Sequence, residues 1–159
     1  MSSIAAIRDF LGQKRLAFVG VSRQPKDYSR MLFREFGARG YDAVPVNPAV
    51  QEIEGQRCFA SVREISPAPD GVVLLTAPAM TGQVVGDCVE AGVKRIWIRR
   101  IGRKDAASDS ALKECQARGI TVISGECPFM FLEGRYQQGG GGVHHFHGFL
   151  KKITGSYPN

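Results

Sequence analysis

Polar and apolar positions along this chain follow one recurring order: a helical stretch ends at glycine and a short apolar, β-rich run follows at once. The order occurs as FGARGYDAVPV around Gly40, CVEAGVKRIWI around Gly92 and CQARGITVISG around Gly119. Glycine just past a helix can take the left-handed conformation that satisfies the last carbonyls. The apolar run after it then reads as a buried strand. Three such junctions imply an alternating α/β chain whose parallel strands are joined by right-handed crossovers. The expected architecture is one doubly wound parallel sheet of five to six strands with flanking helices.

The other strands fill in around these junctions. LAFVGV (16–21) is a continuous apolar run suited to a central first strand, and GVVLLTA (71–77) suits another. AVPVN (43–47) carries Pro45, which cannot donate to a ladder and so belongs near an edge. Cys58 and Phe59 offer a strand stub beyond it. Helices are expected over 3–11, 29–38, 79–91, 105–118 and 143–154. In the last, Phe146, Leu150 and Ile153 recur at helical spacing and should dock on the sheet. EGRYQQGGGG, with glycines at 139–142, reads as a linker, with a flap beside a ligand as the alternative. A single domain is expected over 1–159, with its core at about 4–132 and a C-terminal loop and helix over 133–159.

In open parallel sheets a ligand lies outside the carboxyl ends of the strands, where strand order reverses. That rule selects GVSRQPKDYS after the first strand, NP after the second, TAPAM after the fourth, RIGRK after the fifth and ECPFMF after the sixth. In the first segment Gly20 permits close backbone approach, Ser22 and Ser29 supply hydroxyls, and Arg23 and Lys26 supply positive charge. The amides and dipole of the helix that follows favour phosphate. The plainer reading is a β–α loop capped by Ser29, a good N-cap residue. The loop lacks the G-x-G-x-x-G fingerprint, and Asn47–Pro48 stands where NAD enzymes place an acid on the ribose. Both features argue against NAD and leave open an ADP moiety with an extra phosphate.

These segments together resemble the small CoA-binding, Rossmann-type proteins, related in fold to the nucleotide-binding domain of succinyl-CoA synthetase. The resemblance rests on VGVSRQPKDYS (19–29), GYDAVPVNP (40–48), TAPA (76–79), KRIWI (94–98) and the Cys127–Pro128 pair, and it spans about residues 4–132. It implies a Rossmann-like fold with coenzyme A, or an acyl-CoA, as the cofactor. Gly20, Ser22, Lys26, Ser29, Asn47, Pro48, Thr76 and Pro78 carry over as cofactor-binding residues; Val21, Arg23 and Ala77 join them from the same loops, and Ile101 from the segment after the fifth strand. Where many relatives have an uncharged W-L-Q-x-G, this chain has WIRRIG. One of Arg99 and Arg100 points to each face, either snorkelling at the surface or meeting a phosphate.

Composition narrows the function further. A net charge of +6 suits an anionic partner, either a phosphorylated small molecule or a nucleic acid. No aromatic sheet face or recognition helix accompanies the charge, so nucleic acid ranks last. No apolar run approaches a membrane span and no secretory signal is visible, so a cytoplasmic location is expected. Cys58, Cys88, Cys115 and Cys127 are scattered without a C-x-x-C pair and should be reduced. His144, His145 and His147 offer no convincing third ligand for a metal. Cys127 has no flanking base, and Glu126 opposes its thiolate. No catalytic or metal residue is therefore assigned. The leading function is non-catalytic CoA binding, as a carrier, sensor or regulatory module. An NAD- or nucleotide-dependent enzyme, or a redox-sensing Rossmann module, is the alternative, and a protein partner or homo-oligomer stays open.

Overall fold

The apolar run after Lys14 becomes β1 (Arg15–Val19), with all but its first residue buried. GYDAVPV supplies β2 (Asp42–Val46), and Gly71–Leu74 forms the fully buried β5. The two later junctions supply β6 (Arg95–Ile98) and β7 (Thr121–Ser124). These five strands make one parallel sheet in the order β2-β1-β5-β6-β7. Glycines 40, 92 and 119 have φ of 90°, 75° and 70°, as a left-handed helix stop requires. The computed structural model that carries this description covers residues 3–99 and 106–132.

β2, with Pro45, is one of the two outer strands of the five, as expected of a strand containing proline. Phe59 forms a single parallel bridge beyond it, opposite Val46. Its N–H donates to Pro45 O at 3.0 Å, and its carbonyl accepts from Asn47 N at 2.9 Å. Counting this stub as the third strand in chain order, the sheet reads 3-2-1-4-5-6, the order of the doubly wound dinucleotide-binding fold.

Helices α1 (Ile4–Leu11), α2 (Tyr28–Ala38), α3 (Thr81–Glu90) and α4 (Ala106–Ala117) cover the sheet. Because side chains alternate along a strand, the two sheet faces differ in kind. Ala17, Val19, Val72, Leu74, Ile96 and Ile98 join Val84, Val85, Cys88, Ala111 and Cys115 in an aliphatic core. On the other face strands β1 and β6 each carry one aromatic side chain, Phe18 and Trp97. Phe18 meets Phe33 and Phe36 of α2, and Trp97 meets Phe10 of α1 edge-on at 5.3 Å. Such a pair adds about 0.5–1.5 kcal/mol beyond its buried area. The Trp97 indole N–H is satisfied by Glu126 O at 3.0 Å.

Three features depart from the sequence expectation. The 79–91 helix is a 3-10 turn at Pro78–Met80 followed by α3. An antiparallel hairpin, β3 (Glu52–Ile53) with β4 (Gln56–Arg57), lies between β2 and β5. Its strands are too short and too charged to show apolar alternation. Its turn residues, Glu54 and Gly55, have φ of 52° and 74°, the geometry that an x-Gly hairpin turn demands. The third departure, at the start of α2, belongs to the site. The chain divides into two compact units, Met1–Glu126 and Cys127–Asn159, and every element above belongs to the first. In the second, Pro128–Met130 forms one 3-10 turn. Arg100, Ile101, the glycine run, the three histidines and the expected helix over 143–154 lie outside the described residues.

Candidate functional site

The five strands finish in one row. Val19 pairs with both Val46 and Leu74, Leu74 pairs with Ile98, and Ile98 pairs with Ser124. From that row the chain turns to β2 on one side and to β5, β6 and β7 on the other, so strand order reverses between β1 and β5. The segments leaving the row there are Gly20–Asp27 after β1 and Leu75–Met80 after β5. Both were selected from the sequence.

Gly20 is where the two segments touch. Its φ is +94°, and a Cβ on it would meet Thr76 Cγ2 at 2.9 Å and the Leu75–Thr76 peptide at 3.0 Å. The close approach it permits is thus to the neighbouring loop. Gly20 N–H donates to Val46 O at 2.9 Å and Leu75 N–H to Val19 O at 2.8 Å, which carries the ladder one residue past the strands.

The loop after β1 is laced by its own side chains. The N-cap of α2 is Asp27 and not Ser29: the Asp27 carboxylate accepts from Ser29 N at 2.8 Å. Either residue type caps a helix well, so local sequence could not choose between them. Ser29 lies inside the helix and is buried. Its hydroxyl donates to Asp27 Oδ1 at 2.5 Å and accepts from Ser22 N at 2.9 Å. Ser22 Oγ accepts from Gln24 N at 3.0 Å. Asn47 bridges from the end of β2. Its amide donates to Val21 O and accepts from Ala49 N, both at 2.9 Å, and Pro48 beside it is exposed. Arg23 and Lys26 are exposed and form no ion pair among the described residues.

The loop after β5 is built differently. Thr76 Oγ1 is buried and has no hydrogen-bond partner among the described residues. A buried hydroxyl left in that state costs roughly 1–3 kcal/mol, so it marks a demand that the described residues do not meet. Ala77 and Pro78 are exposed, as is Met80. Neither the 3-10 turn nor α3 has a side-chain cap. From the end of β6, Arg99 reaches Tyr28, its guanidinium carbon 3.6 Å from the ring centroid. This contact ties the first residue of α2 to the far side of β5.

Sequence reasoning singled out Gly20, Ser22, Arg23, Lys26, Asn47 and Thr76, and the structure brings them to the strand reversal. It did not find Tyr28, Asp27, Arg30, Arg34 or Glu54. The available signals were an arginine pair at i, i+4 on α2 and the Glu54–Gly55 turn dipeptide. Cys58, Cys88 and Cys115 are buried. Burial pushes the Cys88 thiol up to about 12 and raises those of Cys58 and Cys115; such thiols are inert near neutral pH. Among the described residues no group of three His, Cys, Asp or Glu side chains could hold a metal, and no helix is long and apolar enough to cross a membrane.

The residues at the reversal suit a phosphate-bearing cofactor on two counts. Among the described residues, a hydroxyl beside Gly20 has no partner and two cations on the adjoining loop form no ion pair. Comparison with known proteins agrees with this chemistry. An uncharacterized Bacillus subtilis protein, YneT, is 28% identical over 126 residues, covering 79% of this chain and 90% of its own length. The alpha subunit of the ADP-forming acetate–CoA ligase II of Pyrococcus furiosus is 26% identical over 125 residues, 74% of this chain but 27% of that subunit. Among solved structures, a hypothetical protein from Pyrococcus horikoshii matches with a TM-score of 0.75 and 27% identity, covering 86% of this chain and 93% of that one. The acetyl-coenzyme A synthetase 1 of Ca. Korarchaeum cryptofilum shares the fold, with a TM-score of 0.66 over 73% of this chain and 26% of that one. The family model described as CoA binding domain matches residues 14–133, and the chain belongs to that family.

Proposed function

We propose that this protein binds coenzyme A or an acyl-CoA through its ADP moiety, without turnover, as a carrier, sensor or regulatory module. The observation that carries the reading is the strand reversal itself. There Thr76 Oγ1, a hydroxyl without a partner among the described residues, adjoins a loop bearing Arg23 and Lys26, which form no ion pair among them. Thr76, Ala77 and Pro78 would line one side of the cofactor, and the backbone of Gly20–Arg23 with Lys26 would meet its phosphates. Ser22, Ser29 and Asn47 would act mainly by holding that backbone in place. Pro48 and Ile101 remain contacts proposed from the family resemblance. The acetate–CoA ligase relative supports the cofactor class, since the reaction in its name uses CoA. When bound, CoA would supply a thiol for acyl attachment; this chain's part is recognition of the nucleotide end.

The test is thermal unfolding with CoA, NAD and AMP at matched concentrations. A ligand that binds only the folded state adds about 2.7 kcal/mol at a hundredfold excess over Kd. For a chain of this size that is roughly 5–10 °C in Tm. CoA is expected to raise Tm most, because its extra ribose phosphate meets a basic loop and Asn47, not an acid, stands directly after β2. Equal shifts with all three ligands, or none, would sink the assignment.

A further inference from the structure

Among the described residues Glu54 alone, glycines apart, has a positive φ, at 52°. A side chain is disfavoured in that conformation, and glycine adopts it freely. A carboxylate kept at such a turn position therefore calls for a reason elsewhere. Glu54 Oε1 accepts from Arg30 Nε at 2.7 Å and stands 3.8 Å from Arg34 Nε. Both arginines belong to α2, one turn apart, so a single oxygen gathers two guanidinium groups.

Those groups in turn grip the loop after β1. Arg30 Nη1 donates to Ser22 O at 3.1 Å and to Arg23 O at 3.4 Å, and Arg34 Nη2 donates to Pro25 O. In a planar trans peptide the N–H points opposite to the C=O. Turning these three carbonyls toward the arginines turns the amides of Arg23, Gln24 and Lys26 away from them. The Gln24 amide is taken by Ser22 Oγ. The amides of Arg23 and Lys26 belong to the two exposed cationic residues of the loop.

We propose that Glu54, acting through Arg30 and Arg34, is a positioning residue that locks this loop with its carbonyls toward α2 and the Arg23 and Lys26 amides toward an incoming phosphate. The proposal rests on the CoA reading of the site. It adds that a hairpin outside the site, with no contact to the cofactor, sets the cofactor's affinity.

The test is Glu54→Gly in the full chain, read in three ways. Relief of the left-handed backbone offsets the lost ion pair, so Tm should stay within about 3 °C of wild type. The unlocked loop should be nicked by trypsin after Arg23 or Lys26 about fivefold faster without ligand. Its ordering then falls on binding, and the Kd for CoA should rise about tenfold. Arg30→Lys keeps the charge opposite Glu54 but cannot fork to carbonyl and carboxylate together, so it should move nicking and Kd the same way. Glu90→Gln, which removes only the carboxylate paired with Arg63 at 2.9 Å, should move neither. Wild-type nicking and Kd in Glu54→Gly would overturn the proposal, as would a Tm loss matching the affinity loss. If wild type itself does not bind CoA, the CoA reading falls. The positioning role is then decided by trypsin and by inorganic pyrophosphate affinity, both of which must change in Glu54→Gly for it to stand.

Discussion

Ser22, Asp27, Ser29 and Asn47, on and beside the loop after β1, direct hydrogen bonds into that loop's own backbone and side chains. After β5 the situation reverses: the Thr76 hydroxyl is buried without a partner among the described residues, and the turn and helix that follow start without a side-chain cap. The polar-rich segment is thus largely scaffold, and the polar-poor one holds the unmet hydrogen-bonding demand. Counting polar residues points to the first segment as the place where a ligand is held. Asking which polar atoms already have partners divides the work. Side chains after β1 set the shape of a basic loop, and Thr76 after β5 keeps a buried hydroxyl that no described residue engages.

Gly20→Ala would break the comparison at the point where the two loops touch. The new Cβ would face the Leu75–Thr76 peptide at 3.0 Å on a backbone with φ of +94°, and neither strand end can move far. A loss of about 2–5 kcal/mol is expected in urea unfolding. A loss below about 1 kcal/mol would show that the loops separate easily. Ser29→Ala tests the scaffold side alone. It strips Ser22 N–H of its acceptor and Asp27 of a donor, and should destabilise by about 1–3 kcal/mol. An effect within about 0.5 kcal/mol, the usual range for surface substitutions, would show that the lacing contributes little.

Thr76→Val probes the other loop and should have the smallest effect on stability. Removing a buried hydroxyl that lacks a partner should leave the fold unchanged or up to about 1 kcal/mol more stable. CoA affinity should fall about fivefold, the worth of one neutral hydrogen bond. Destabilisation, or unchanged affinity in calorimetry, would remove Thr76 from the ligand side of the comparison.

Much of this was legible beforehand. Glycines 40, 92 and 119 marked the helix stops, Pro45 marked the outer strand, and the apolar runs marked the buried ones, because each signal is written in a few adjacent residues. The stub at Cys58–Phe59 was readable for the same reason. The hairpin at 52–57 was not, since two-residue strands of charged side chains bury too little to leave an apolar pattern. The cap of α2 was misread because Asp27 and Ser29 are equally good caps, and the choice was made by Ser22, whose amide claims the Ser29 hydroxyl.

The alternating α/β order, the parallel sheet and its buried and outer strands were determined by the sequence, through periodicity and backbone preferences that act over a single turn or strand, and the family was legible as a resemblance carried by several short segments in order. Which polar groups are consumed by the fold was decided only in three dimensions. Ser29 meets Ser22 across 7 residues, Arg30 meets Glu54 across 24, and Asn47 meets Val21 across 26. A hydrogen bond needs its two partners within about 3 Å, and packing alone brings such distant residues that close.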